Sequence, residues 1–169
     1  MSFKSVDILA ADEGATGNDL EDRAFSTFSL ECLQAHNDYR KKHGVPPLVL
    51  DLNVTAAAEN WAKTMAAENT LAYSDNKNYG ENQYFHWGRR QVIGRNPVDS
   101  FYEEIEDYNF NDPEGPGFTS HFTQVVWKST KLMGVGVAKS GDQGIYVAVF
   151  YYPKGNRVGQ FAANVLRPL

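Results

Sequence analysis

Cysteine is almost missing from this chain. Cys32 stands alone among 169 residues, which excludes an intrachain disulfide and fits a reducing compartment. Long apolar runs are missing as well. No stretch approaches the ~20 residues that span a bilayer. Between Met1 and Leu30 only Ile8-Leu9-Ala10-Ala11 precedes the acids Asp12 and Glu13, short of the ~7–15 apolar residues of a secretion signal. Position 2 is Ser, not Gly, so the N-myristoylation signal is absent. Basic excess is lacking too: 16 Lys and Arg face 21 Asp and Glu, a net charge of −5. That balance argues against nucleic acid, which needs a concentrated basic face. The expected location is cytoplasmic, with peripheral membrane association, or export without a signal peptide as the alternative.

What is present is enough for one folded domain. The hydrophobic fraction of 42% and aromatic fraction of 13% are globular values, and the length suits a single core. The acidity is concentrated at the start. Residues 1–28 carry six acids, from Asp7 to Asp22, against Lys4 and Arg23. Residues 1–27 lack sustained apolar periodicity and read as a disordered acidic tail. Residues 28–169 read as the domain.

Within the domain the period changes from helical to extended. A first helix is expected from about Ser29, with Cys32, His36 and Tyr39 on one stripe and Gly44 with Pro46-Pro47 as the stop. A second starts near Asn53 as N-cap, with Val54, Ala57, Trp61 and Met65 aligned. A third opens at Asn96-Pro97 and places Phe101, Glu104 and Tyr108 on one face. Residues Leu132–Ala138 and Ile145–Tyr152 read as a hairpin, and Gly80–His86 as a further strand. Helices followed by paired strands indicate an α+β domain with an antiparallel sheet. Glu104 is conspicuous, because a carboxylate on an apolar stripe is either paired, hydrogen-bonded, functional or snorkelling to water.

Four motifs carry a family resemblance. His36-Asn37-Asp38-Tyr39-Arg40, Gly80-Glu81-Asn82, His121-Phe122-Thr123-Gln124 through Trp127, and Phe150-Tyr151-Tyr152-Pro153-Lys154-Gly155-Asn156 occur in this order. Together they resemble the CAP superfamily of cysteine-rich secretory, venom-antigen and plant pathogenesis-related proteins, and within it the intracellular Golgi-associated branch. The resemblance implies an α-β-α sandwich with a central antiparallel sheet. It also implies a groove whose floor gathers two histidines and two glutamates. Here those positions hold Tyr73, Glu81, Glu104 and His121, with Tyr73 where relatives carry the first histidine. A divalent metal such as zinc would then have His121 with Glu81 and Glu104 at best, a weak set, because neutral tyrosine is a poor ligand. His36, Asn37, Arg40, Asn82 and Asn156 take structural roles in this reading.

The function expected from the resemblance is a non-enzymatic binding module for a lipid, a sterol-like molecule or a protein partner, through the groove. Tyr73, Tyr79, Tyr84, Phe85, Trp87, Phe101 and Tyr102 would supply an aromatic lining, although ordinary core packing explains such residues equally. Two alternatives stand beside it. One is a hydrolase using Glu81 or Glu104 as base with His121. The other is a structural domain that self-associates, for instance as a homodimer. No cofactor is assigned.

Overall fold

The computed structural model describes residues 25–115 and 117–169. The acidic segment 1–24 lies outside the described residues. The domain begins slightly earlier than its periodicity suggests. Helix α1 spans Thr27–Lys42, capped by the Ser26 side chain accepting from the Ser29 amide, and Phe25 packs against the core. Its C-terminus closes as a Schellman turn. The Val45 amide donates to the Arg40 carbonyl and Gly44 to Lys41, with Gly44 at φ +64°.

Strand β1 is the two-residue piece Val49–Leu50. Helix α2 follows at Leu52–Glu68, and its N-cap is Asp51, whose carboxylate accepts from the Val54 amide. The expected cap Asn53 is already inside the helix. Asp51 sits directly after the strand in extended conformation, φ −120° and ψ 136°, which is the cap geometry. Strand β2 spans Gly80–Trp87. Helix α3 covers Arg95–Glu103, so Asn96 is not its cap either; its side chain instead accepts from the Ile93 amide. A 3-10 turn, Glu104–Asp107, ends that segment, and Glu104 therefore lies just beyond the α-helix. The short helix α4 covers Ser120–Val125. Strands β3, Leu132–Lys139, and β4, Gly144–Tyr152, form the expected hairpin. A last turn, α5, covers Phe161–Asn164.

The sheet order is β1-β3-β4-β2. The three long strands pair antiparallel as expected, and β1 adds a short parallel pairing with β3. A pair of residues carries no period from which that could be read. Central β4 is buried on both faces from Gly144 to Tyr151. One core lies between the sheet and α1, α3 and α4, around Trp127, Phe122 and Tyr151. The other lies under α2, with Ala58, Ala62 and Met65 against Tyr146, Ala148 and Phe150. On β3, Gly134 and Gly136 let the α2 backbone approach directly: a Cβ on either would collide with Thr55 or Ala58 main-chain atoms. This is the α-β-α sandwich that the motifs imply.

Candidate functional site

His121 is the second residue of α4, a helix with no side-chain cap of its own. Glu104 provides that cap from another element. Its Oε2 accepts from the backbone N–H of His121 and of Phe122, each at 3.0 Å. Its Oε1 takes the His121 Nδ1 at 2.6 Å. An ionised carboxylate only accepts, so Nδ1 carries the proton and Nε2 is the nitrogen left over. Phe101 stacks on the imidazole, centroids 5.2 Å apart and planes 11° from parallel. The ring is thus fixed in plane by Phe101 and in rotation by Glu104. Both side chains are about a quarter to a third exposed, 24% for Glu104 and 31% for His121. The anomaly of Glu104 on an apolar stripe now has its explanation. The carboxylate is neither snorkelling nor orphaned, because it closes the start of a neighbouring helix.

Glu81 does something different. It accepts from the Ser74 amide at 3.0 Å, from Ser74 Oγ, from Asn76 Nδ2 at 3.4 Å and from Gln83 Nε2 at 3.1 Å. Strand alternation separates it from His121. Asn82, its neighbour, faces α4 and donates to the His121 carbonyl at 3.0 Å. Glu81 pairs across β2–β4 with Phe150 and Asn82 with Val149, residues of the two opposite cores. Tyr73 is 62% exposed, in the loop that Glu81 ties down through Ser74. Glu104 and His121 thus form one hydrogen-bonded group, and Glu81 with the Tyr73–Ser74 loop another; among the described residues no hydrogen bond joins the two.

Zinc does not fit this arrangement. Among the described residues, no three His, Cys, Asp or Glu side chains group closely enough to hold a metal ion. Both glutamates already accept protein donors, and a zinc site needs several ligands converging on one point. The expected aromatic lining also disperses. Phe101 is buried at 3%, Tyr102 stacks on Tyr39 and Tyr79 packs on Phe150. Phe85 and Trp87 remain exposed, at 41% and 64%. Neither these two nor the four motif positions line any of the described surface clefts.

The remaining motif residues form a buried polar frame. His36 shares a proton chain, its Nδ1 donating to the Cys32 carbonyl at 2.8 Å and its Nε2 accepting from Tyr151 Oη at 2.7 Å. Burial pushes its pKa down to about 4, which keeps it neutral, and pushes the Tyr151 hydroxyl up. The Tyr151 oxygen also accepts from Asn82. Asn37 clamps both the N–H and the C=O of Leu48. Arg40, fully buried, donates to the carbonyls of Pro46, Val125, Trp127 and Thr130 at 2.7–3.2 Å. Desolvation lowers it to about 10, so it stays charged at neutral pH. Asn156, in the left-handed region at φ 55°, holds the start of α4 through Ser120 and Thr123. Cys32 is a buried free thiol on α1. Sequence reading placed Gln124 and Tyr151 in the motifs without giving them a role, and it passed over Ser74. Gln124 accepts from the Gly155 amide and donates to Thr130 Oγ1.

Fold and frame together define a CAP-type sandwich, and sequence comparison agrees. Residues 33–152 match the cysteine-rich secretory protein family, CAP, and the chain belongs to it. It is 40% identical over 148 residues to the human Golgi-associated plant pathogenesis-related protein 1, covering 86% of this chain and 96% of that one. A PR-1 type pathogenesis-related protein of Sambucus nigra is 35% identical over 76% of this chain and 77% of its own. Solved structures share the fold. BmVAL-1 superposes with a TM-score of 0.70 at 18% identity, over 85% of this chain and 84% of that one. NaASP2, solved with Zn2+, gives 0.66 at 19%, over 86% and 87%. Among the described residues, no helix is long and apolar enough to cross a membrane.

Proposed function

We propose that this protein is a non-catalytic binding domain for an amphipathic ligand of the lipid or sterol class. The observation that carries the reading is the state of the two glutamates. Glu104 accepts three hydrogen bonds and Glu81 four, all from the protein itself. A carboxylate offers about four acceptor sites, so Glu81 is saturated and Glu104 nearly so. These carboxylates are positioning groups for α4 and for the loop 70–79. Beside His121 Nε2, which keeps no protein partner among the described residues, the groups left for a guest are mainly apolar. Phe85 and Trp87 stand on one face of β2, with Leu71 and Tyr73 exposed at 49% and 62% in the loop that Glu81 ties down. Exposed aromatics of this kind suit a ligand with a flat or extended apolar body. Likeness to a Golgi-associated relative supports a site of action at a cytoplasmic membrane face.

The test is native mass spectrometry and solvent extraction of the purified full-length protein, then titration with a fluorescent sterol and a fluorescent fatty acid. A Phe85→Ser variant is expected to lose roughly tenfold in affinity, about 1.4 kcal/mol, with its fold intact by circular dichroism. Esterase, peptidase and glycosidase screens are run beside it on wild type and Glu104→Gln. Turnover by the wild type that this variant loses would overturn the reading in favour of a hydrolase.

A further inference from the structure

A second feature lies away from the family motifs, at the far end of β2. The loop after this strand and the β3–β4 hairpin enclose a cleft of about 610 Å³ lined by Arg89, Arg90 and Lys139, together with Ser140 and Gln143. None of the three cations forms an ion pair among the described residues; the recorded pairs involve Arg95 and His121. The main chain adds donors. In the same loop the Ile93 amide is taken by Asn96 and the Gly94 amide by Glu31, whereas no acceptor among the described residues meets the amides of Arg89, Arg90, Gln91 and Val92. The one acid of the hairpin, Asp142, is already engaged by Ser140 Oγ and the Gly144 amide. The cleft therefore offers positive charge and free N–H groups to a chain of carboxylates and carbonyls. Arg89, Arg90 and Gln91 are exposed, so water meets their amides, and an acceptor that displaces it gains the neighbouring cations, which select an anionic one.

We propose that the occupant is the acidic N-terminal segment of this same chain, centred on Asp19-Leu20-Glu21-Asp22 and docked on the Arg89–Arg90–Lys139 cleft. Two observations single it out. The first is charge: residues 1–24 hold six acids against Lys4 and Arg23, whereas the folded domain is nearly neutral. The second is the point of attachment. Phe25 and Phe28 pack on the core, and the Phe28 carbonyl lies so close to Gly94 that a Cβ there would collide with it. The segment thus leaves the domain beside the loop that lines the cleft. Asp22 is three residues from Phe25, and each extended residue reaches about 3.3–3.6 Å. A tether of that length holds the acids near the cleft at an effective concentration of about millimolar, so individually weak contacts suffice. The segment would act as a built-in competitor, released by high salt or by a stronger anionic partner.

The experiment uses the full-length protein, labelled with nitrogen-15, at low salt. Wild type is compared with D19N/E21Q/D22N and with R89S/R90S, the two arginines being exposed. Neutralising the segment is expected to shift the amides of Arg89–Val92 and Ser140–Gln143, and to speed their hydrogen exchange roughly threefold or more. Removing the two arginines is expected to shift the amides of residues 18–22 in return. Raising salt to about 1 M, where screening acts over ~3 Å, is expected to erase both differences. Unchanged cleft amides in D19N/E21Q/D22N, or changes confined to another face, would overturn the proposal. Vesicles containing phosphatidylserine are then offered to both proteins. Equal affinity for wild type and the neutralised form, lost in R89S/R90S, would mean that the cleft serves a lipid surface and that the segment does not occupy it.

Discussion

The two sides of β2 spend polar groups in opposite ways. On the side facing α1 and α4, polar groups are buried deeply and each has partners. Arg40 and His36 are inaccessible, Asn82 and Gln124 nearly so, and every one of them is hydrogen-bonded. Toward the free end of the same strand the pattern reverses. Phe85 and Trp87 are exposed, and among the described residues His86 Nε2 is buried without a partner and the cleft arginines form no ion pair. Paired polar groups fix a unique packing, and unpaired ones mark where something else is to be met. The motifs of this family thus mostly build the frame, and the surface we propose for a ligand lies beside them.

The sharpest way to break this contrast is at Arg40. Replacing it by Met would leave the carbonyls of Pro46, Val125, Trp127 and Thr130 without their donor. The expected loss is roughly 3–5 kcal/mol of unfolding free energy, among the largest for a single substitution. Urea denaturation measures it. A loss below ~1 kcal/mol would show that water replaces the guanidinium and that the frame is not rigid.

Acid gives the next largest effect. His36 is neutral in the fold, its pKa held at about 4 by burial, and takes up a proton near 6.5 when unfolded. The unfolded state therefore binds more protons between these values. Stability is complete above about pH 6.5 and falls as the pH drops toward 4, by on the order of 3 kcal/mol. His43, lowered by burial in the same direction, adds to the trend. Asp38, lowered by its hydrogen bond to Arg95, loses its contribution only at more acid pH. Melting temperatures measured from pH 7 to 4.5 would show the slope, and His36→Gln would flatten it. A flat profile in the wild type would mean that His36 is accessible to solvent.

Much of this frame was readable before any coordinates. The Gly44 stop and the β3–β4 hairpin follow from local rules. So did the oddity of Glu104, though not its purpose. The cap that Glu104 supplies joins residues 17 apart in sequence, and α4 is too short to show a period of its own. The misplaced caps have a common cause. Asn53 and Asn96 have cap chemistry, but Asp51 and Gly94 stand where the chain actually turns. Glu81 and Asn82 are adjacent strand residues that face opposite ways, which is why Asn82 reaches the His121 carbonyl while Glu81 holds the Ser74 loop. The β1–β3 pairing, by contrast, depends on where α2 seats, and no local signal encodes that.

The smallest expected effect tests the exposed side of the comparison. Trp87 is large and apolar, so in a core its removal would cost several kcal/mol. Here it is 64% exposed and keeps one hydrogen bond, from Nε1 to the Asp142 carbonyl at 2.7 Å. That carbonyl sits at a solvent-facing turn, where water can take over the bond. Trp87→Ser is therefore expected to change the unfolding free energy by no more than about 0.5 kcal/mol, while diminishing sterol or fatty-acid binding along with Phe85→Ser. Denaturation and ligand titration on the same sample separate the two effects. A stability loss of ~2 kcal/mol or more would place Trp87 in the frame and leave the free end of β2 without its distinguishing character.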